Sequence, residues 1–572
     1  MNKNIRDFLF ILICFSLPFI YLPEEFQFFN FLSGSMSSKL MFYPSIAFII
    51  YIFYCHLRYG KILVRIREFT RYSAILLGII TVSYLSGLIT YPYYDWIGNA
   101  PYSHIVKLNY IVNWFMQHDY YIDSTKIVIT YFSLSVFKNI LLDYLWTFVL
   151  SYSIYCGFYK NFSEAISCFY RGSLSSLLVV CIYGFMDVAY LGHFKWAKEA
   201  LIILNPFIHS IEIHHGWYPP LLIPNQLRSI FTEPSFIGNY ISYVIPVLWC
   251  NFLFSDKIKL SYIVTYCILS FFVVLTQART SMAMYFGILF LFFMLILFLR
   301  KKEYIKKFAV ILICSAFTFV LGSMFIERVI LMNYNNLDSS SNISANNEME
   351  IVTVSATSSL NNLKLDLESK KDSEKNIIVH DKKEYEQKNN EIIEGTKKIL
   401  DDNLMSLTKS KGRSNEARYA LYKSSLRAFY DNPILGVGKG LSGAYIIDKF
   451  TENEKKNYEV SLWCNDFFTQ GIFKANINAM NEYIVGLTEL GVIGFSIYII
   501  PFLFPVLYFI KKIRSILECK IESIVMLLTS TISLLVVSIN GGFTFFHYIW
   551  IILALDYLAI DNLKSDIVKS KT

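Results

Sequence analysis

Long apolar runs alternate along this chain with short polar stretches, many of them basic. A helix that crosses a bilayer needs about 20 predominantly apolar residues. Runs of that kind fall near residues 8–22, 40–55, 73–90, 140–158, 173–192, 236–254, 260–278, 281–299, 308–325, 483–509, 522–540 and 543–560, which predicts twelve spans. The first is short and basic-flanked like a signal peptide. No small-residue cleavage site follows it, so it reads as a retained span.

Three longer segments separate the spans, at 91–139, 193–235 and 326–482. In the first, "IVKLNYIVNWF" is weakly amphipathic, which suits a helix lying at a membrane interface. The third is composite. From Leu337 to Lys411 there is one aromatic residue (Tyr385), one glycine, no proline and a dense mixture of charged and small polar residues. Such a stretch buries too little apolar surface to offset the entropy of ordering, so it reads as a flexible or loosely helical insertion. Order resumes at 412–440, where Tyr419, Tyr422, Leu426 and Phe429 recur at helical spacing and Asn432-Pro433 ends the helix. The pattern divides the chain into an N-terminal membrane bundle (1–325), a large loop (326–482) and a C-terminal membrane bundle with a short tail (483–572).

Composition agrees with this pattern. Hydrophobic residues make up 55% of the 572, and mean hydropathy is +0.43, which places the chain among all-α integral membrane proteins. The formal charge of +8 comes largely from clusters in alternate loops, such as "HLRYGKILVRIREFTRY", "RKKEYIKK" and "KKIRSILECK". Short basic loops stay cytoplasmic, so both termini are expected inside. The charge therefore reflects topology and gives no reason to expect nucleic-acid binding. Of ten cysteines Cys464 alone falls in the large loop, which leaves no disulfide framework there, and no Cys or His spacing suits a metal.

Candidate chemistry lies on the face opposite those basic loops. "LTQARTSMAMYFG" places Arg279 at the turn between two spans, against the usual charge bias. An arginine there either snorkels to lipid phosphates or helps to bind an anion. "NQLRSIFTEPSFIGNY" places Arg228 before the next span upstream, with Glu233 as a helix N-cap and Pro234 at the first helical position. Two guanidiniums beside two helix N-termini suit a phosphate or pyrophosphate. The glycines of "NPILGVGKG" do not make a nucleotide loop, because Gly440 follows Lys439 where a Ser or Thr is needed and no strand precedes them. They read as a tight turn.

"RSIFTEPSFIGNY", "LTQARTSMAMYFG", "GRSNEARYALYKSSLRAFYDNPILGVGKG" and "NEYIVGLTELGVIGF" occur in the order seen in the O-antigen polymerase and O-antigen ligase superfamily, which this sequence resembles over about 220–300 and 412–510. The resemblance implies a membrane glycosyltransferase of the C type that uses undecaprenyl-pyrophosphate-linked glycans at the outer face of the cytoplasmic membrane. It implies that Arg228 and Arg279 hold the donor pyrophosphate, with no metal or cofactor, and that a flippase and a chain-length regulator are partners. Ligases of this superfamily usually carry a histidine before the asparagine that matches Asn481; here Met480 stands there, and His209, His214, His215 and His380 lie in other loops. This departure favours a polymerase, with a ligase as the alternative.

The reaction needs a base for the attacking hydroxyl, for which Glu233 and Glu489 are the candidates. Each also has a plain structural reading, as a helix cap and as a hydrogen-bonding group within the bundle. Arg413, Arg418, Arg427, Asn481, Gly436 and Gly438 are candidate substrate contacts. Asp143, Asp187, His547 and Asp556 in or near spans support a rival of another class, a polysaccharide transporter, although no internal repeat accompanies them.

Overall fold

A computed structural model describes residues 2–23, 26–28, 34–60, 62–118, 123–208, 221, 225–254, 260–327, 413–513, 518–543 and 546–569. The insertion at 337–411 and His209, His214, His215 and His380 lie outside the described residues. Among the described residues every regular element is helical.

The elements are α1 (Lys3–Ser16), α2 (Phe42–Tyr59), α3 (Ile66–Ile89), α4 (Tyr94–Gly98), α5 (Val106–Gln117), α6 (Ser124–Tyr144), α7 (Leu150–Gly157), α8 (Phe162–Leu191) and α9 (Lys195–Ile208). There follow α10 (Phe236–Leu253), α11 (Leu260–Leu275), α12 (Arg279–Leu299) and α13 (Lys302–Phe325). Beyond the insertion come α14 (Arg413–Asp431), α15 (Ser442–Asp448), α16 (Glu452–Lys455), α17 (Tyr458–Gln470), α18 (Glu482–Lys512), α19 (Glu518–Val537) and α20 (Tyr548–Lys569).

Each of the twelve apolar runs coincides with a helix, and eight described helices are long and apolar enough to cross a membrane. The protein is an all-α, multi-pass membrane protein. Several helix ends differ from the hydropathy reading, most of all at 140–158. The run at 140–158 belongs to a continuous rod from Ser124 to Gly157, in which α6 and α7 join through a π turn at Leu145–Val149. Backbone hydrogen bonding carries the helix through the less apolar stretch that includes Lys126 and Lys138, where hydropathy alone would end it. The weakly amphipathic segment of the first long loop forms α5, which buries Leu108 and Val112 and exposes Val106, Tyr110 and Met116.

At the centre of the bundle is α10. It is mostly apolar and buried around nearly its whole circumference, as suits a helix enclosed by others, and it packs against α8, α11, α12, α13 and α19. One end of the bundle is tied by charge. There Arg6 bonds Glu164 at 2.5 Å and the Gly157 carbonyl at 3.2 Å, Arg65 meets Asp561 at 3.1 Å, and Lys307 donates to the Leu253 carbonyl at 3.1 Å. The other end, where α2, α10, α12, α18 and α20 begin, holds the polar residues described below.

The helix at 412–440 ends at Asp431, before Asn432-Pro433, as its sequence predicts. Its buried side, however, is not the stripe of large residues. Ala417, Ala420, Leu421, Ser424, Ser425 and Ala428 are buried, while Tyr419 is exposed. Small side chains let α14 approach its neighbours closely: the Thr488 hydroxyl donates to the Ser425 carbonyl at 3.1 Å and the Ser424 hydroxyl to the Ile446 carbonyl at 2.5 Å.

Candidate active site

A break in α18 organises the site. Gly491 has φ 63° and ψ −173°, a conformation essentially confined to glycine, and it interrupts the helix two residues after Glu489. A broken helix leaves carbonyls and amides without helical partners. Here the "NPILGVGKG" segment supplies them. Val437 N donates to the Thr488 carbonyl at 2.8 Å, Gly438 N to that of Glu489 at 3.2 Å, and Val492 N to that of Pro433 at 2.9 Å. The Ser83 hydroxyl of α3 adds bonds to the Leu435 and Glu489 carbonyls at 2.7 and 2.8 Å.

Two backbones this close exclude side chains. A Cβ on Gly436 would lie 2.4 Å from the Glu489 carbonyl carbon, and one on Gly491 would lie 2.2 Å from the Ile434 oxygen. Gly436 and Gly438, candidate substrate contacts by sequence, therefore serve to dock this loop on the break. Its next two residues, Lys439 and Gly440, reach a cavity.

That cavity has a volume of about 730 Å³. Its walls draw on the starts of α10, α12 and α18, the last two turns of α6, the loop before α2 and the turn after α19. It gathers three cations (Lys39, Arg418, Lys439), four carboxylates (Asp143, Glu233, Glu482, Glu489) and six asparagines (Asn139, Asn239, Asn476, Asn478, Asn481, Asn540). Of the sequence candidates it brings together Glu233, Glu489, Arg418 and Asn481.

The four carboxylates are held differently. Glu489 is buried, with one oxygen accepting from Lys439 Nζ at 2.8 Å and the other from the Ser442 hydroxyl at 2.9 Å. Glu482 is also buried and accepts from the Tyr498 hydroxyl and the Phe543 amide, both at 2.9 Å. Glu233 is half-buried, and one of its oxygens accepts from the Ser235 hydroxyl at 3.1 Å. The helix N-cap is Ser235, two residues beyond the expected Glu233. The Phe236 amide bonds the Glu233 carbonyl at 3.1 Å, so a tight turn through Pro234 precedes α10 and leaves the Glu233 side chain at the cavity.

The cations differ as well. Burial alone would depress the Lys439 ammonium, but Glu489, Glu482 and Asp143 around it hold its pKa above the ordinary lysine value. Burial brings Lys39 down to about 7, against the opposing field of Asp143. Arg418 donates to Asn540 Oδ1 at 3.1 Å. Asn481 caps α18, its side-chain oxygen accepting from the amides of Tyr483 and Ile484 at 3.0 and 3.1 Å.

Arg279 is half-buried at the first residue of α12, next to the cavity-lining Thr280. The two expected helix N-termini do meet, since the Ser281 hydroxyl donates to the Pro234 carbonyl at 3.2 Å. Arg228 is placed otherwise than the sequence predicts. It is 2% exposed and outside the cavity lining, and its amide and that of Ser229 donate to Asp187 Oδ2 at 3.0 and 2.6 Å. Burial pulls its pKa down while the Asp187 carboxylate pushes back. Arg427 also lies elsewhere: it grips Glu454 with two bonds of 2.7 and 2.8 Å, which takes that carboxyl down to about 2. Arg413 opens α14, and its side chain is outside the described set.

Among the described residues, Gln277 and Met480, close to Arg279 and Asn481, have positive φ (49° and 50°), as do Ser229 beside the buried Arg228 (55°) and four residues elsewhere in the chain, Arg65, Lys160, His193 and Arg300. Such conformations persist where surrounding structure enforces them. Sequence reasoning missed Lys39, Lys439, Glu482 and Asn239. A lysine beside an apolar run and a carboxylate at a helix start are ordinary features until the fold brings them together.

Fold and cavity define a polytopic membrane protein with a charged polar site enclosed at one end of its bundle. Residues 264–499 match the model of a family described as O-antigen ligase. Over that segment the chain is similar to this family, consistent with the O-antigen polymerase and ligase superfamily and with a broadly glycosyltransferase-like activity. No curated protein matches the chain significantly. The matched segment contains Arg279, Arg418, Lys439, Asn481 and Glu489, whereas Lys39, Asp143, Glu233 and Asn239 precede it.

Proposed function

We propose that this protein is a polymerase that joins lipid-linked oligosaccharide repeat units at the outer face of the cytoplasmic membrane, with both termini in the cytoplasm. The observation that carries the reading is the cavity in which Glu233, Arg418, Asn481 and the Lys439–Glu489 pair meet beside the start of α12. The donor is a glycan on undecaprenyl pyrophosphate. A hydroxyl of the acceptor sugar attacks the anomeric carbon from the face opposite the pyrophosphate. The new C–O bond forms as the old one breaks, and the electron pair leaves on the pyrophosphate oxygen with inversion at carbon.

Glu233 takes the hydroxyl proton. Of the two carboxylates singled out by sequence, it keeps an oxygen without a protein hydrogen bond among the described residues, while Glu489 has both oxygens occupied. Glu489 instead anchors Lys439 at the cavity wall. Arg279, Arg418 and the amides at the start of α12 stabilise charge developing on the departing pyrophosphate, a term that grows in a partly dehydrated site. Arg228 supports the segment between α9 and α10 through Asp187.

A ligase is the alternative, in which the acceptor is lipid A core or another polymer. Met480, at the position where ligases of the superfamily usually carry histidine, favours the polymerase, because it brings no titratable group to the cavity it lines. Transport is disfavoured because no internal repeat accompanies Asp143, Asp187, His547 and Asp556 in the sequence, while Asp187 binds backbone amides and Asp556 accepts from Thr531 at 2.7 Å. The test is deletion of the protein followed by analysis of lipid-linked intermediates. The expected result is undecaprenyl pyrophosphate capped with one repeat unit. Long chains accumulating on that lipid would identify a ligase instead.

A further inference from the structure

Asn239 lies on α10, one turn after Ser235, whose hydroxyl holds Glu233. It lines the cavity, is 5% exposed, and its carboxamide has no hydrogen-bond partner among the described residues. Its amide atoms open onto the cavity and are not sealed in protein. Two polar neighbours on the helix are satisfied within the protein, since Ser242 and Asn251 bond the carbonyls four residues before them at 2.9 and 2.7 Å. Asn239 faces the cavity instead.

Asp143, on α6, presents the second such group. Neither of its oxygens accepts a hydrogen bond or enters an ion pair among the described residues, although the fields of Lys439 and Lys39 reach it. It is the one carboxylate of the four described in the cavity with both oxygens available. A sugar hydroxyl both donates and accepts. An amide can answer it in both senses, and a carboxylate takes the donated bond. Of the other lining asparagines, 478, 481 and 540 already use their side-chain oxygens on the protein, and Asn139 and Asn476 are exposed, so Asn239 is the buried one left open to the cavity among the described residues.

We propose that Asn239 and Asp143 form the acceptor subsite, Asn239 holding the attacking hydroxyl beside Glu233 and Asp143 taking a bond from a second hydroxyl. The acceptor class is then a polyhydroxylated sugar ring and not a protein amine or an isolated alcohol. The inference rests on the transferase reading above. Both residues precede the matched family segment, so acceptor choice is set by the N-terminal half of the chain.

The test uses the full-length protein in lipid nanodiscs with lipid-linked repeat unit extracted from a strain lacking it. Two products are measured: elongated glycan, and sugar released from the pyrophosphate by water. Loss of an acceptor contact weakens elongation without removing the donor chemistry. Asn239→Leu and Asp143→Ala are each expected to lower the ratio of elongation to hydrolysis at least about tenfold, the effect of roughly 1.4 kcal/mol. Asn239→Asp, of nearly the same shape, serves as a second variant that keeps an acceptor and loses the donor. An unchanged ratio in all three variants overturns the subsite while leaving the transferase intact. A fall in both products together, with the ratio preserved, also overturns it by showing a structural role. Wild-type protein that neither elongates nor hydrolyses the probe sinks the transferase reading, and the subsite with it.

Discussion

Glu233 and Glu489 are chemically similar carboxylates on one cavity, and their neighbours separate their roles. Glu489, itself buried, pairs with Lys439, which is about a quarter exposed at the cavity. Removing one member of such a pair leaves a charge in a partly desolvated place, at a cost below the roughly 3–5 kcal/mol of a fully buried pair. Lys439→Met alone and Glu489→Leu alone should each lower thermal stability in detergent sharply, and the double variant should recover much of the loss. Additive losses in unfolding experiments would show that the two groups do not depend on each other. Arg279 has no protein partner among the described residues, so its substitution probes ligand contact. An ammonium snorkels as well as a guanidinium but cannot form its planar fork of donors. Arg279→Lys is therefore expected to insert normally and lose at least about tenfold in turnover. A wild-type rate at matched protein level would return the residue to the lipid headgroups. Motifs were enough to single out Glu233, Glu489, Arg418 and Asn481, but Arg228 and Arg427 sit in local sequences of the same character and point elsewhere. Their partners, Asp187 and Glu454, are 41 and 27 residues away, and nothing in a linear pattern marks such a pairing.

Among the elements, the break in α18 carries the most consequence, because it lets a loop from outside the bundle dock onto a membrane helix and bring Lys439 to the cavity. Gly491→Ala would put a Cβ 2.2 Å from the Ile434 carbonyl and demand a backbone conformation that side chains avoid. The expected cost is at least about 2 kcal/mol. It should appear as reduced yield of folded protein and as loss of activity, since the loop must move. A variant with unchanged stability and activity would show that the helix can straighten without harm. The twelve apolar runs were legible because burial in lipid demands about 20 apolar residues regardless of neighbours. The break was not, for "TELGVIGF" reads as unbroken apolar helix. So too the close-packed side of α14, where small residues carry no hydrophobic signal and owe their burial to the closeness of other helices.

At the scale of the whole molecule, the cavity belongs to both halves of the chain. Lys39, Asp143, Glu233, Asn239 and Thr280 come from before the insertion, and Arg418, Lys439, Asn481, Glu482 and Glu489 from after it. The stretch 340–408 has one aromatic residue and no proline. Replacing that stretch by a short flexible linker should leave insertion intact and retain much of the activity, measured as elongation of lipid-linked repeat. Complete inactivation of a well-inserted deletion protein would show that the stretch takes part in folding or acceptor binding. What the sequence determined by itself was the membrane class, the helices and the motifs of the superfamily, because these depend on composition and on residues close in the chain. The tertiary structure alone decided which charges share one cavity, which carboxylates are already occupied and which arginine is buried. Those outcomes depend on contacts between residues tens to hundreds of positions apart, and a linear pattern does not encode the distances between them.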